Sequence, residues 1–137
     1  PGGGLLIGID NPKDHAVLER AYNDSKGYTE AFNLNLIDRI AEAFDVPNIR
    51  YHLKHKAIYN PELNRIEMHL EAKKNINIQL NDQSYYIKKG ETIHTENSYK
   101  YNVGQFEALA EQAGFDPPQV WRDSRNYYSV FYFPAGE

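Results

Sequence analysis

Leu5-Leu6-Ile7-Gly8-Ile9-Asp10 is an unbroken apolar run closed by an acid. Such a run is the pattern of a parallel strand covered on both faces. A parallel strand needs parallel neighbours, and nothing ahead of it in the 137 residues supplies one. The expectation is an α/β sheet with its other strands upstream, so that the chain forms the C-terminal part of a larger protein. Pro1-Gly2-Gly3-Gly4, just before the run, reads as a turn.

Outward from that strand, Asn11-Pro12 opens a helix, with Asn11 as cap and Pro12 at the first helical position. Val17, Leu18, Ala21 and Tyr22 fall on one of its faces. After the loop Asn23-Asp24-Ser25-Lys26-Gly27, the spacing predicts a second helix from about Thr29 to Phe44. Its buried stripe is Phe32, Leu36, Ile37, Ile40 and Phe44. The period then changes to alternation. Leu53, His55, Ala57 and Tyr59 share a strand face, and so do Ile66, Met68, Leu70 and Ala72 beyond a turn at Asn60-Pro61-Glu62-Leu63-Asn64. Glu67, His69 and Glu71 are left on a wet side. A second hairpin joins Asn75–Leu80 to Ser84–Lys88 through Asn81-Asp82-Gln83. Residues from about 12 to 100 thus read as a two-helix, antiparallel-sheet unit of α+β type.

The end of the chain is a helix and two strands. Asn102 with Gln105 makes a capping box, Phe106, Leu109, Ala110 and Ala113 face inward, and Gly114 ends the helix. Gln119–Arg122 and Tyr127–Phe133 are joined by Asp123-Ser124-Arg125-Asn126.

Composition excludes several classes. A net charge of −4 argues against a nucleic-acid binder, which needs a basic face to meet phosphate. With no cysteine there is neither disulfide nor thiolate metal site, which fits a reducing, cytoplasmic setting. No apolar run approaches membrane-spanning length, and Leu5–Ile9 lacks the basic flank of a signal peptide. Eleven tyrosines are the unusual feature, and their apolar body and polar tip suit strands and wet binding sites alike.

Gly90-Glu91-Thr92-Ile93-His94-Thr95-Glu96-Asn97-Ser98-Tyr99-Lys100-Tyr101 is the stretch densest in hydrogen-bonding side chains, and it lies where the alternating region gives way to the last helix. Polar groups crowded at such a junction suit a binding site, although capping and solvation account for the same residue types. Other features favour plainer readings. Five histidines invite a metal, yet His52 and His55 are three apart, on opposite faces of a strand, and no tight ligand cluster is visible, so no metal is expected. Arg50-Tyr51-His52-Leu53-Lys54-His55-Lys56 interleaves charge and aromatics, but in an acidic chain it fits a lysine-guarded edge strand better than a single-stranded nucleic-acid groove. Gly2-Gly3-Gly4 precedes a strand, whereas phosphate loops follow one.

Several stretches, taken in order and spacing, carry a resemblance. They are Pro1–Asp10, Lys13-Asp14, Ala21-Tyr22, Gly27-Tyr28-Thr29-Glu30-Ala31-Phe32-Asn33-Leu34-Asn35, Ala57-Ile58-Tyr59-Asn60, Arg65-Ile66-Glu67-Met68 and Gly90–Tyr101. Together they resemble the histidine-specific, S-adenosylmethionine-dependent methyltransferases, over the C-terminal part of that family only. The resemblance implies a fold that is α/β with an α+β insertion. Residues 1–11 and 101–137 would be the closing strands and helix of a Rossmann-like methyltransferase domain, and 12–100 its substrate-recognition subdomain.

The resemblance also implies the chemistry. Glu96 and Ser98 would hold a histidine imidazole: a neutral ring offers one N–H donor, which a carboxylate takes, and one acceptor nitrogen, to which a hydroxyl gives. A Glu-x-Ser spacing in extended chain places both side chains on one side. Tyr22 matches a tyrosine that binds the substrate carboxylate, and Thr29 and Met68 match positions lining the same site. The implied reaction methylates the α-amine of L-histidine to its trimethyl betaine, as in ergothioneine biosynthesis. S-adenosylmethionine is the cosubstrate, and its main binding loop is expected upstream. Two alternatives stay open: another aromatic amino acid as substrate, or a non-catalytic binding or interaction module. The isolated chain is expected to be inactive and, with Leu5–Ile9 built to be covered, to self-associate.

Overall fold

The computed structural model describes residues 2–136; Pro1, the first residue of the expected opening turn, and Glu137 lie outside them. In chain order the elements are β1 (Gly4–Asp10), α1 (His15–Tyr22), α2 (Tyr28–Phe44), a 3₁₀ turn (Arg50–His52), β2 (Leu53–Asn60), β3 (Arg65–Ala72), β4 (Ile76–Leu80), β5 (Gln83–Ile87), β6 (Thr92–Tyr99), α3 (Val103–Gln112), β7 (Gln119–Arg122) and β8 (Tyr128–Pro134). They separate into two compact units, one of residues 1–14, 62–64 and 99–137, the other of residues 15–61 and 65–98.

The first unit is a three-stranded sheet ordered β1-β8-β7 with α3 against it. Here the opening strand departs from its expected role. β1 runs antiparallel to β8, with Leu5 opposite Phe133 and Ile9 opposite Ser129. It is covered on one face, where Leu5, Ile7 and Ile9 pack with Phe131, Phe133 and Ala110. The other face carries Gly4, Leu6 and Gly8, and Leu6 is 68% exposed. The alternation was hidden because the outward residues are two glycines and a leucine rather than polar side chains. Those glycines have a use: the Tyr132 and Tyr128 rings lie so close over Gly4 and Gly8 that a Cβ would meet them at 2.8 and 2.3 Å.

Asn11 also differs from its expected role. It caps no helix, since α1 starts only at His15. Instead it is buried, donating to the Asn126 carbonyl at 3.0 Å and accepting from the Ser129 hydroxyl at 2.9 Å. The capping box of α3 is present as read, Gln105 N–H giving to Asn102 Oδ1 at 2.9 Å and Asn102 N–H to Gln105 Oε1 at 3.0 Å.

The second unit holds the sheet β2-β3-β6, the hairpin β4-β5, and α1 and α2. β2 and β3 are antiparallel with Ala57 opposite Met68. β6 runs antiparallel to β3 as well, since Ala72 bonds to Glu91 near one end and Met68 to Thr95 further along. Ile66, Met68, Leu70 and Ala72 are buried as the alternation predicts. The face with Glu67 and His69 is drier than expected, their side chains being only 11% and 12% exposed. On α2 the stripe is rotated from the expected one. Asn33, Leu34 and Ile37 are buried, while Phe32, Leu36 and Phe44 are exposed. A strong apolar count drew the sequence reading to the phenylalanines, but the buried face is set by Asn33 and the polar bonds it makes. Both sheets are thus antiparallel in a mixed α/β fold, and no helix among the described residues is long and apolar enough to cross a membrane.

Candidate functional site

Tyr22 closes α1, an eight-residue helix that buries Leu18. Leu18 packs with Ala57, Ile66 and Met68, and Tyr22 and Tyr59 lie against that cluster. The apolar body of Tyr22 is thereby fixed beside Met68, and its hydroxyl reaches Ser98 Oγ at 2.7 Å. Tyr22, Met68 and Ser98, three residues singled out in the sequence, come together although they are far apart in the chain.

The other two singled-out residues stand apart from that group. Thr29 sits in the first turn of α2, where its backbone N–H and side chain bond the Asp24 carboxylate. Asp24 also accepts from the Tyr28 N–H, and these backbone bonds hold its carboxyl below the usual range. Glu96 is exposed on β6 with no side-chain bond to Ser98 or Tyr22.

A local feature of β6 explains the separation. Thr95 and Ser98 are three residues apart, yet both reach helix residues, Asn33 and Tyr22 respectively. On the opposite face His94 Nε2 is 2.8 Å from Asn97 Oδ1, again three residues on. Regular alternation would send residues three apart to opposite faces. The count is that of a bulge, one extra residue in the strand, a device that re-aims side chains beside functional sites. Exposure along β6 follows the same count: Ile93, Thr95 and Ser98 are half-buried, while Glu96 and Asn97 are both exposed.

Behind Tyr22 lies a polar network that the sequence reading missed. Asn33, 3% exposed, donates to His55 Nδ1 at 3.0 Å and to the His69 carbonyl at 3.1 Å, and its Oδ1 accepts from the Thr95 hydroxyl at 2.7 Å. His55 Nε2 is 2.8 Å from the Tyr22 carbonyl. Asn23 bonds both backbone groups of Ala57, at 2.9 and 3.0 Å. A signal existed: an asparagine beside Leu34 and Ile37 in helical register, and a histidine in register with Leu53, Ala57 and Tyr59, are both polar residues on apolar faces.

On the other face of the sheet, Glu67 Oε1 accepts from Arg65 Nη2 at 2.7 Å and from Asn60 at 3.0 Å. Arg65 first, then Asn60, hold the Glu67 carboxyl down to about 2. His69 stacks on His94 with centroids 4.6 Å apart, and its Nε2 is 3.3 Å from Glu67 Oε2. Among the described residues, Glu67, His69 and His94 each offer a ligand atom within 4.8 Å of the others, a grouping that could hold a metal ion. Glu67 Oε2 and His69 Nε2, 3.3 Å apart, are close to the roughly 3.4 Å ligand spacing of a tetrahedral site with bonds of about 2.1 Å, and His94 lies within 4.8 Å of both.

In the first unit, Lys100 is 1% exposed, and its amine lies 3.2 Å from Asp10 Oδ2. Asp10, which also bonds Lys13, compensates that buried cation.

Antiparallel sheets in a mixed α/β fold are consistent with a methyltransferase-family domain. Residues 1–135 match the profile of the histidine-specific, S-adenosylmethionine-dependent methyltransferases, and the chain belongs to that family. The chain is 36% identical over 136 residues to the histidine N-alpha-methyltransferase of Mycobacterium tuberculosis, covering 95% of this chain and 41% of that protein. It is 32% identical over 125 residues to the Mycolicibacterium smegmatis enzyme of the same name, covering 90% and 39%. An Aspergillus fumigatus protein, N-methyltransferase fsqC, is 26% identical over 132 residues, covering 93% and 34%. The chain thus spans about two fifths of the length of the two mycobacterial relatives. The family resemblance read from the motifs is borne out.

Proposed function

We propose that this chain supplies the histidine-recognition part of an enzyme that methylates the α-amine of L-histidine to its trimethyl betaine, the chemistry of ergothioneine biosynthesis in the cytoplasm. The observation that carries the reading is the Tyr22–Ser98 hydroxyl pair beside Met68, at positions the family motifs mark. In this reading residues 12–100 form the substrate-recognition subdomain, while 1–11 and 101–137 close a Rossmann-like domain. The two compact units, with their breaks near residues 14 and 98, support that division.

S-adenosylmethionine would be the methyl donor. No glycine-rich loop follows a strand in these residues, so they do not fit the whole cofactor, and its main contacts belong to a segment outside them. The work of this chain is to bind and orient histidine. The Tyr22 and Ser98 hydroxyls carry one proton each. If Tyr22 gives to the substrate carboxylate and Ser98 to the imidazole, binding replaces the 2.7 Å bond between them with two bonds to the ligand. Glu96 would take the imidazole N–H by turning its exposed carboxylate inward.

The full-length protein should release S-adenosylhomocysteine only when histidine is supplied. Tyr22→Phe should raise the KM for histidine by about three- to tenfold, the effect of one neutral hydrogen bond. Tryptophan accepted as readily as histidine would favour the aromatic-substrate alternative, and no turnover with either would leave the binding-module reading.

For the isolated 137-residue chain we propose no activity and self-association. Leu6, Trp121, Tyr128 and Tyr132 lie on one face of the β1-β8-β7 sheet and are 38% or more exposed. Such a contiguous apolar patch drives association. Light scattering across a concentration series should show a mass rising above 15.8 kDa; a monomer at millimolar concentration rules this out.

A further inference from the structure

We propose that His55 and Asn33 are positioning residues for Tyr22, and that they hold it only while the His55 ring is neutral. The inference rests on Tyr22 being a substrate contact. Its structural half stands on the hydrogen bonds alone.

The proton inventory fixes the ring. The Tyr22 carbonyl can only accept, so His55 Nε2, 2.8 Å away, must carry a proton. In a neutral ring Nδ1 is then an acceptor, and it faces the Asn33 amide 3.0 Å away. The orientation of that amide is pinned as well. The group facing His55 also faces the His69 carbonyl at 3.1 Å, which can only accept, so it is the NH₂. The Asn33 oxygen on the other side accepts from Thr95 at 2.7 Å. The one proton of the Thr95 hydroxyl is shared between that oxygen and the Met68 carbonyl at 2.9 Å, and the other polar atoms of the amide and ring each face a partner of the opposite kind.

Protonating His55 puts an N–H against the Asn33 NH₂. Turning the amide to relieve that contact would aim its oxygen at the His69 carbonyl. Both states of the amide then hold a like-with-like contact, and the surroundings are buried enough to make it costly. The relief available is for the ring to leave Tyr22. That loosens the end of α1 at one of its ties to β2, which also include Asn23 on Ala57 and Glu19 on the Tyr59 N–H. The hydroxyl directed at Ser98 moves with it. Titratable groups lining the same small cleft are Tyr22, Asp24 from the loop and Glu30 from α2, none of them an imidazole. β3 turns Met68 and Leu70, both uncharged, to this side.

The test uses the full-length protein. His55→Leu should raise the KM for histidine about tenfold at pH 8 with kcat nearly unchanged and S-adenosylmethionine affinity intact. His55→Gln can give its N–H to Tyr22 and accept from Asn33, and it does not titrate, so it should keep the pH 8 KM within about twofold. Histidine itself titrates, so the informative quantity is the ratio of KM for the natural protein to KM for His55→Gln. That ratio should rise as pH falls from 8. A flat ratio, or a Gln variant as impaired as Leu, overturns the proposal. Nitrogen-15 NMR of the His55 ring is independent of the substrate reading. Nε2 protonated and Nδ1 bare at pH 8 supports the network, and the reverse tautomer refutes it. If the NMR agrees but Tyr22→Phe leaves histidine binding untouched, it is the assignment of Tyr22 to the substrate that has failed.

Discussion

In the full-length protein, Glu96→Ala is expected to weaken histidine by about tenfold to a hundredfold and to leave S-adenosylmethionine affinity unchanged. The estimate is that of a hydrogen bond to a charged acceptor in a ligand site, about 1.5–3 kcal/mol. Folding should not suffer, because Glu96 is exposed and makes no side-chain bond that packing depends on. An imidazole needs both a carboxylate and a hydroxyl donor, whereas an indole has no acceptor nitrogen for Ser98. In this reading the Ser98 hydroxyl, not Glu96, separates the two rings. Calorimetry that returns the unmodified histidine affinity for Glu96→Ala removes the carboxylate from the imidazole site.

Phe131→Ala should cost about 3–5 kcal/mol of stability. Phe131 is 0% exposed at the centre of the first unit. Its ring stacks on Phe133 at 5.4 Å and meets Phe106 at 5.2 Å, and Leu5, Ile7 and Ile9 pack against the same cluster. Removing the ring takes contacts from both the sheet and α3, and the surrounding side chains are rigid enough that the cavity will not fully collapse. The urea midpoint should fall with the slope little changed. A loss below about 1 kcal/mol would mean that this cluster is not what holds β1, β8 and α3 together.

Local signals carried most of the fold. The β2–β3 hairpin was legible because alternation and turn residues coincide over Leu53–Ala72, and the capping box of α3 because Asn102 and Gln105 sit at the required spacing. What failed to show were choices made by partners distant in the chain. β1 looks parallel until β8, more than 110 residues later, is seen to pair with it antiparallel. Asn11 looks like a cap until Ser129, 118 residues away, claims its oxygen. The face of α2 was misjudged because hydrophobicity favours Phe32 over Asn33, whereas burial follows the bonds Asn33 makes to β2 and β6. In the candidate site, the Tyr22–Ser98 contact was legible only through the family motifs. Thr29 and Met68, marked by the same motifs, fall in different surroundings, one tied to Asp24 and the other packed against Tyr22.

The interruption in β6 has a consequence for how this region can change. If Glu96 is struck out, the remaining residues alternate without a break: Ile93, Thr95 and Ser98 toward the helices, His94 and Asn97 away from them. Architecture makes no demand on Glu96, and its side chain bonds to nothing in the sheet. Ser98 bonds the Tyr22 hydroxyl, and Thr95 bonds Asn33 and the Met68 carbonyl. Glu96 is the spare position of the strand, free to be exchanged or dropped while the ladder around it stays put. A substitution at that one position leaves the bonds of Thr95 and Ser98 to the helices in place.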